Sequence, residues 1–128
     1  MKLNHLDLHV PDIAATADFL IEHLGLRLVE MRGANGLAIL TDDEGLELVI
    51  SYAIAKFGAA DQSASKAVSY HIGFIVADRA EVDAAYQRLK ASDAELWGEP
   101  REMRGGWAFY CLIPGHILVE VGARALHL

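Results

Sequence analysis

The sequence predicts an α+β protein made of two βαβββ modules, and three observations carry that prediction. The stretches Leu3-Asn4-His5-Leu6-Asp7-Leu8-His9-Val10-Pro11-Asp12 and Ser69-Tyr70-His71-Ile72-Gly73-Phe74-Ile75-Val76-Ala77-Asp78 repeat one pattern. In both, a histidine opens an alternating strand, a valine follows five residues on, and an aspartate stands where a helix would start. Behind each copy come one helical stripe and then short alternating segments divided by turn residues. A repeat of this kind sets the architecture, because one unit occurs twice.

The elements follow in order. In the first strand, Leu6, Leu8 and Val10 face one way and His5, Asp7 and His9 the other. Asp12 is a helix N-cap, Ile13, Ala17, Leu20, Ile21 and Leu24 recur at helical spacing, and Gly25 ends the helix. Residues 26–31, 37–40 and 46–51 read as strands, separated by turn chemistry at 32–36 and 41–45. In the last of them Leu46, Leu48 and Ile50 share one face, and Glu47, Val49 and Ser51 share the other. The first module therefore spans 1–52.

Residues 53–68, dominated by Ala, Ser, Gly, Gln and Lys, are the expected connection and a candidate flap over a site. The second module is placed at 69–123. Ile72, Phe74 and Val76 form the apolar face of its opening strand. Asp78 with Glu81 gives a capping-box start, and Val82, Ala85, Tyr86 and Leu89 form the helix stripe. A strand at 95–99, a turn at Gly105-Gly106, a strand at 107–113, a turn at Pro114-Gly115 and a strand at 116–121 complete it. Ile117, Val119 and Val121 point to the core there, with Leu118 and Glu120 opposite. In each module one helix covers one face of the sheet, and the other face carries the acids and histidines.

Size and composition narrow the function. A chain of 128 residues with 53% hydrophobic and 23% charged content is expected to be a single globular domain, 1–128. A formal net charge of −7 argues against nucleic-acid binding and leaves a cationic small molecule or a metal ion as guests. No apolar run has membrane-spanning length, and Asp7 and Asp12 interrupt any signal-peptide core. The single cysteine, Cys111, excludes an internal disulfide, so a reducing, cytoplasmic setting is expected.

Four strands carry His5, Glu47, His71 and Glu120 opposite an apolar face, on the first and last strand of each module. A pseudo-twofold between modules would gather all four. Two imidazoles and two carboxylates suit Zn, Ni, Co, Mn or Fe(II) at roughly 2.0–2.2 Å, and not a thiolate cage. For any one of them alone, a solvated strand face is the simpler reading.

The motifs Leu3-Asn4-His5-Leu6-Asp7-Leu8-His9-Val10, Tyr70-His71-Ile72-Gly73-Phe74 and Pro114-Gly115-His116-Ile117-Leu118-Val119-Glu120 resemble the vicinal oxygen chelate superfamily. That group includes glyoxalase I, methylmalonyl-CoA epimerase, extradiol dioxygenases, fosfomycin-resistance enzymes and bleomycin-binding proteins. The resemblance implies paired βαβββ modules closing into a cup-shaped mixed sheet, commonly as a homodimer. It carries the glyoxalase-type ligand set onto His5, Glu47, His71 and Glu120, around a divalent metal. The intervening turns allow a shift at Glu47, and Val49 shares its parity. The Phe109-Tyr110 pair resembles the fosfomycin group, where the tyrosine holds substrate. Asp7 stands where that group has a threonine, and its substrate-binding lysine has no counterpart here. His9 stands where bacterial glyoxalase I has a glutathione-contacting arginine.

Further candidates complete the expectation. His9 and His116 share the cup face by parity, as acid/base or supporting groups. Tyr110 is placed to hydrogen-bond substrate, and Arg101 and Arg104, beside Gly105-Gly106, to hold an anion at the rim. Trp97 and Trp107 are expected in core or dimer packing, or lining an apolar pocket, and Cys111 in the interior. The function implied is a glyoxalase-I-like lyase or isomerase. Its metal would stabilise an enediolate or similar oxyanion of a small substrate, and Glu120 or Glu47 would be the general base. The alternatives are a metal-free antibiotic- or metabolite-binding protein, a fosfomycin-type thiol transferase and a single-domain dioxygenase.

Overall fold

The computed structural model of the protein describes residues 1–33, 36–52, 68, 70–103 and 105–124. The chain divides into two compact units between Lys66 and Ala67. The expected connection, 53–68, lies outside the described residues apart from Val68, as does Arg104.

The first unit contains β1 (His5–His9), α1 (Ile13–Leu24), β2 (Arg27–Arg32), β3 (Leu37–Thr41) and β4 (Glu47–Ser51). Its four strands lie in the order β1-β4-β3-β2. The β1/β4 pair is parallel, because α1 and two further strands carry the chain back before β4 begins. The other pairs are antiparallel. Asp12 caps α1 by accepting the Ala15 amide at 3.0 Å. Gly25 ends the helix at φ 74°, a backbone conformation that costs glycine nothing. Ile13, Ala17 and Leu20 of α1 are buried, as are Ala38, Leu40, Leu48 and Ile50 of the sheet. Burial of one such Leu or Ile side chain contributes about 1.5–3 kcal/mol. Leu8 and Val10 join that core, while Leu6, at the strand's open start, stays 37% exposed.

The second unit repeats the plan with β5 (Ile72–Ile75), α2 (Arg79–Lys90), β6 (Glu95–Leu96), β7 (Arg101–Met103), β8 (Gly106–Ile113) and β9 (Ile117–Arg124). The sheet runs β5-β9-β8-β6, with β7 also on β8. Opening and closing strands are again parallel. Asp78 accepts the Glu81 amide, and the Glu81 carboxylate reaches back to the amide of Ala77 at 2.7 Å. Val82, Ala85 and Leu89 of α2 are buried, together with Phe109, Cys111, Val119 and Val121 of the sheet.

The single strand expected at 95–99 is instead two short ones. Gly98 at φ 97° and Pro100, which has no amide hydrogen, interrupt the ladder. Arg101 Nη1 then donates to the carbonyls of Glu99 and Trp97, which ties this loop together. Among the described residues no helix is long and apolar enough to cross a membrane.

Candidate functional site

Glu120 is the most unusual residue of the second unit. It lies mid-way along β9 on the face away from α2, yet its side chain is only 3% exposed. Its Oε1 lies 3.9 Å from Nε2 of His71, the residue just before β5, and its Oε2 lies 3.7 Å from Nη2 of Arg124. Oε1 is buried and has no hydrogen-bond partner among the described residues. Leaving such a group unsatisfied costs about 1–3 kcal/mol, and more when it is charged. Tyr110 is paired with Glu120 across β8 and β9. Its ring meets that of His71 edge to face, with centroids 5.1 Å apart, and so fixes the imidazole's tilt.

Space around this carboxylate comes from two glycines on the same face. A Cβ at Gly73 would lie 3.9 Å from Glu120 Oε2, and one at Gly122 3.8 Å from it. A buried carboxylate oxygen without a donor, beside a half-exposed imidazole nitrogen, is a donor pair that a divalent cation satisfies.

In the first unit His5 and Glu47 are register partners on β1 and β4. His5 is exposed, and its Nδ1 lies 3.0 Å from the Asn4 side-chain oxygen. With Nδ1 donating to that oxygen, Nε2 is the ring's acceptor nitrogen. Among the described residues no three His, Cys, Asp or Glu side chains gather closely enough to hold an ion by themselves.

The expectation that Glu47 and Glu120 hold equivalent places is corrected by the register. The Val10 amide donates to Ser51 O, and the Val76 amide donates to Gly122 O, each at 2.9 Å. Those matching bonds superpose the two parallel pairs. Asp7 faces Val49 where Gly73 faces Glu120. The first module's counterpart of Glu120 is therefore Val49, and Glu47 corresponds to Leu118.

Other candidates take varied places. His9 is half-buried opposite Ser51. His116 sits in the β8–β9 turn at φ 60° and not within a strand; its Nε2 is buried without a partner among the described residues. Neither tryptophan is in the core. Trp97 is 41% exposed, and Trp107 is half-buried, with its indole N–H donating to Asp83 at 2.8 Å and the Arg79 guanidinium 4.4 Å above its ring. Trp107 lines an open cavity of about 580 Å³ at the end of the second sheet, shared with Arg79, Glu102 and Arg124. Cys111 is buried, and desolvation pushes its thiol up to about 11, so it is no nucleophile.

A family model described as the Glyoxalase/Bleomycin resistance protein/Dioxygenase superfamily matches residues 2–121. The chain belongs to that superfamily.

Similar proteins agree with this. The chain is 34% identical over 110 residues to an uncharacterized protein of Pseudomonas aeruginosa, covering 85% of this chain and 77% of that one. The solved structure of a possible glyoxalase from Bacillus cereus is similar at 29% identity and a TM-score of 0.76, covering 94% of this chain and 97% of that one. A genomically encoded fosfomycin resistance protein, FosX, from Listeria monocytogenes is similar at 25% identity and a TM-score of 0.76, with 98% and 93% covered.

As a glyoxalase/bleomycin resistance/dioxygenase superfamily member, the chain departs from a symmetric pair of acids, because Val49 stands in one of the two places. Arg124 was not predicted as part of the site. Its signal is parity, since residues 118, 120, 122 and 124 share one face of β9.

Proposed function

We propose that the protein is a divalent-metal-dependent enzyme of glyoxalase-like type, acting on a small molecule with adjacent oxygens and working as a cytoplasmic homodimer. The observation that carries the reading is the buried Glu120 oxygen, without a donor among the described residues and 3.9 Å from His71 Nε2. His5, His71 and Glu120 would hold the ion, with Glu47 as the fourth candidate. A bound divalent cation such as Zn, Ni, Co, Mn or Fe supplies Lewis acidity, stabilising negative charge that develops on the substrate's oxygens.

The chain's own groups do the rest. Tyr110 keeps the His71 ring edge-on and offers its hydroxyl to substrate. Arg124, 3.7 Å from Glu120, borders the cavity where an anionic substituent would lie. Glu120, or Glu47, takes and returns the substrate proton as general base. Metal analysis of purified protein, followed by chelation, reloading with each candidate metal and assay of α-hydroxycarbonyl and hemithioacetal isomerisation, tests the reading. Absence of site-bound metal under every loading condition would sink it.

A second reading, a fosfomycin-type enzyme, is favoured by Val49, which leaves two imidazoles and one glutamate at the repeat-equivalent places. It predicts metal-dependent fosfomycin resistance when the protein is expressed in a sensitive host.

A further inference from the structure

We infer that the open cavity of the second unit binds a small aromatic carboxylate, with the ring on Arg79 and Trp107 and the carboxylate on Arg124. The inference rests on the reading above only in calling that ligand the substrate; the binding itself needs no metal. The cavity, about 580 Å³, lies wholly within the second unit, between the start of α2 and the β7–β8 hairpin. That volume is in the range of small-molecule sites. Trp107, Met103, Ala77 and Ala123 give it apolar walls, and Arg79 and Arg124 give it two guanidinium groups.

A flat ligand is indicated by what the site already holds. The indole N–H of Trp107 donates to Asp83 at 2.8 Å, which fixes the ring, and the Arg79 guanidinium lies 4.4 Å above that ring. A guanidinium is planar and stacks on aromatic faces, so a second ring extends the stack on its other side. An anion is indicated by donors that the fold does not use. The Arg124 guanidinium has one charged neighbour among the described residues, Glu120 Oε2 at 3.7 Å, beyond hydrogen-bond reach. Its N–H fork is open to a carboxylate, which it would hold by two parallel bonds. The two acids of the lining compete little. Asp78 accepts the Glu81 amide at 2.9 Å and stays with the helix. Glu102 meets Arg79 at 3.2 Å in an exposed pair, a weak and salt-screened contact that a ligand can replace.

Fluorescence titration of chelator-stripped Trp97→Phe protein with benzoate tests the inference, since Trp107 is then the one tryptophan left. A saturable change in Trp107 emission is expected. Benzamide has the ring without the charge, and cyclohexanecarboxylate has the charge without the flat ring. Each is expected to bind at least about fivefold more weakly. Arg124→Gln is expected to weaken benzoate binding at least about tenfold, as loss of a charge-assisted pair does. Arg79→Lys keeps the charge and loses the planar stack, and is expected to weaken it about threefold or more. Glu102→Gln, which releases Arg79, is expected to tighten it about twofold. Thermal melts confirm that each variant folds. No saturable response to benzoate, equal binding of benzamide, or undiminished binding in Arg124→Gln would overturn the inference and leave the metal reading standing. Benzoate binding by a protein that takes up no metal would end the metal reading and leave the cavity's ligand as assigned.

Discussion

Val49 and Glu120 hold the same place in two copies of one sheet, the first paired with Asp7 and the second with Gly73. One copy offers a hydrocarbon and the other a buried carboxylate whose Oε1 lacks a donor among the described residues. The parallel strand pair is repeated in register but not in chemistry, and the difference gives the second module the buried acid.

Glu120→Gln separates the cost of that acid from its use. The amide keeps the shape and removes a desolvated charge, so the metal-free melting temperature is expected not to fall. The rise in melting temperature on adding Mn(II), about 2.7 kcal/mol of stabilisation at a hundredfold excess over Kd, is expected to vanish. Differential scanning calorimetry with and without metal reads both. A metal-induced rise that survives the substitution would count against the role given to Glu120.

Cys111 supplies a pH prediction. Burial raises its thiol from 9.0 to about 11 in the folded chain, so the native state retains a proton that the unfolded state gives up. This contribution to stability is complete below pH 9 and is lost as pH rises through 11. Native protein at pH 8 is expected to resist a thiol-specific disulfide reagent for as long as it stays folded, and to react stoichiometrically in denaturant. Fast labelling of the native protein would contradict the burial.

Gly106, at the start of β8, has no room for a side chain, because a Cβ there would collide with the carbonyl oxygen of Ala123 on β9. Gly106→Ala is expected to destabilise by about 1–3 kcal/mol through forced backbone movement. Urea unfolding measures it, and a change within error of zero would show that the β8/β9 register differs here.

Much of this was legible in the sequence, for reasons that also mark the limit. The aligned His-to-Asp stretches and the caps at Asp12 and Asp78 announce two copies of one unit, because capping and alternation are local signals. Facing is legible too, since a slip of one residue would turn every side chain over. A slip of two residues turns none over, and so alternation cannot tell Glu47 from Val49. Only the Val10–Ser51 and Val76–Gly122 bonds, between residues remote along the chain, decide between them. The broken strand around Gly98 and Pro100 and the exposed stacking of Trp107 under Arg79 likewise depend on tertiary partners.

Anomalous diffraction from crystals soaked in Mn(II) tests the central claim most directly. A peak about 2.0–2.2 Å from a Glu120 carboxylate oxygen and from a His71 ring nitrogen is the expected result. Fully soaked crystals with no peak there, and with the Glu120 oxygen still lacking a partner, would contradict it.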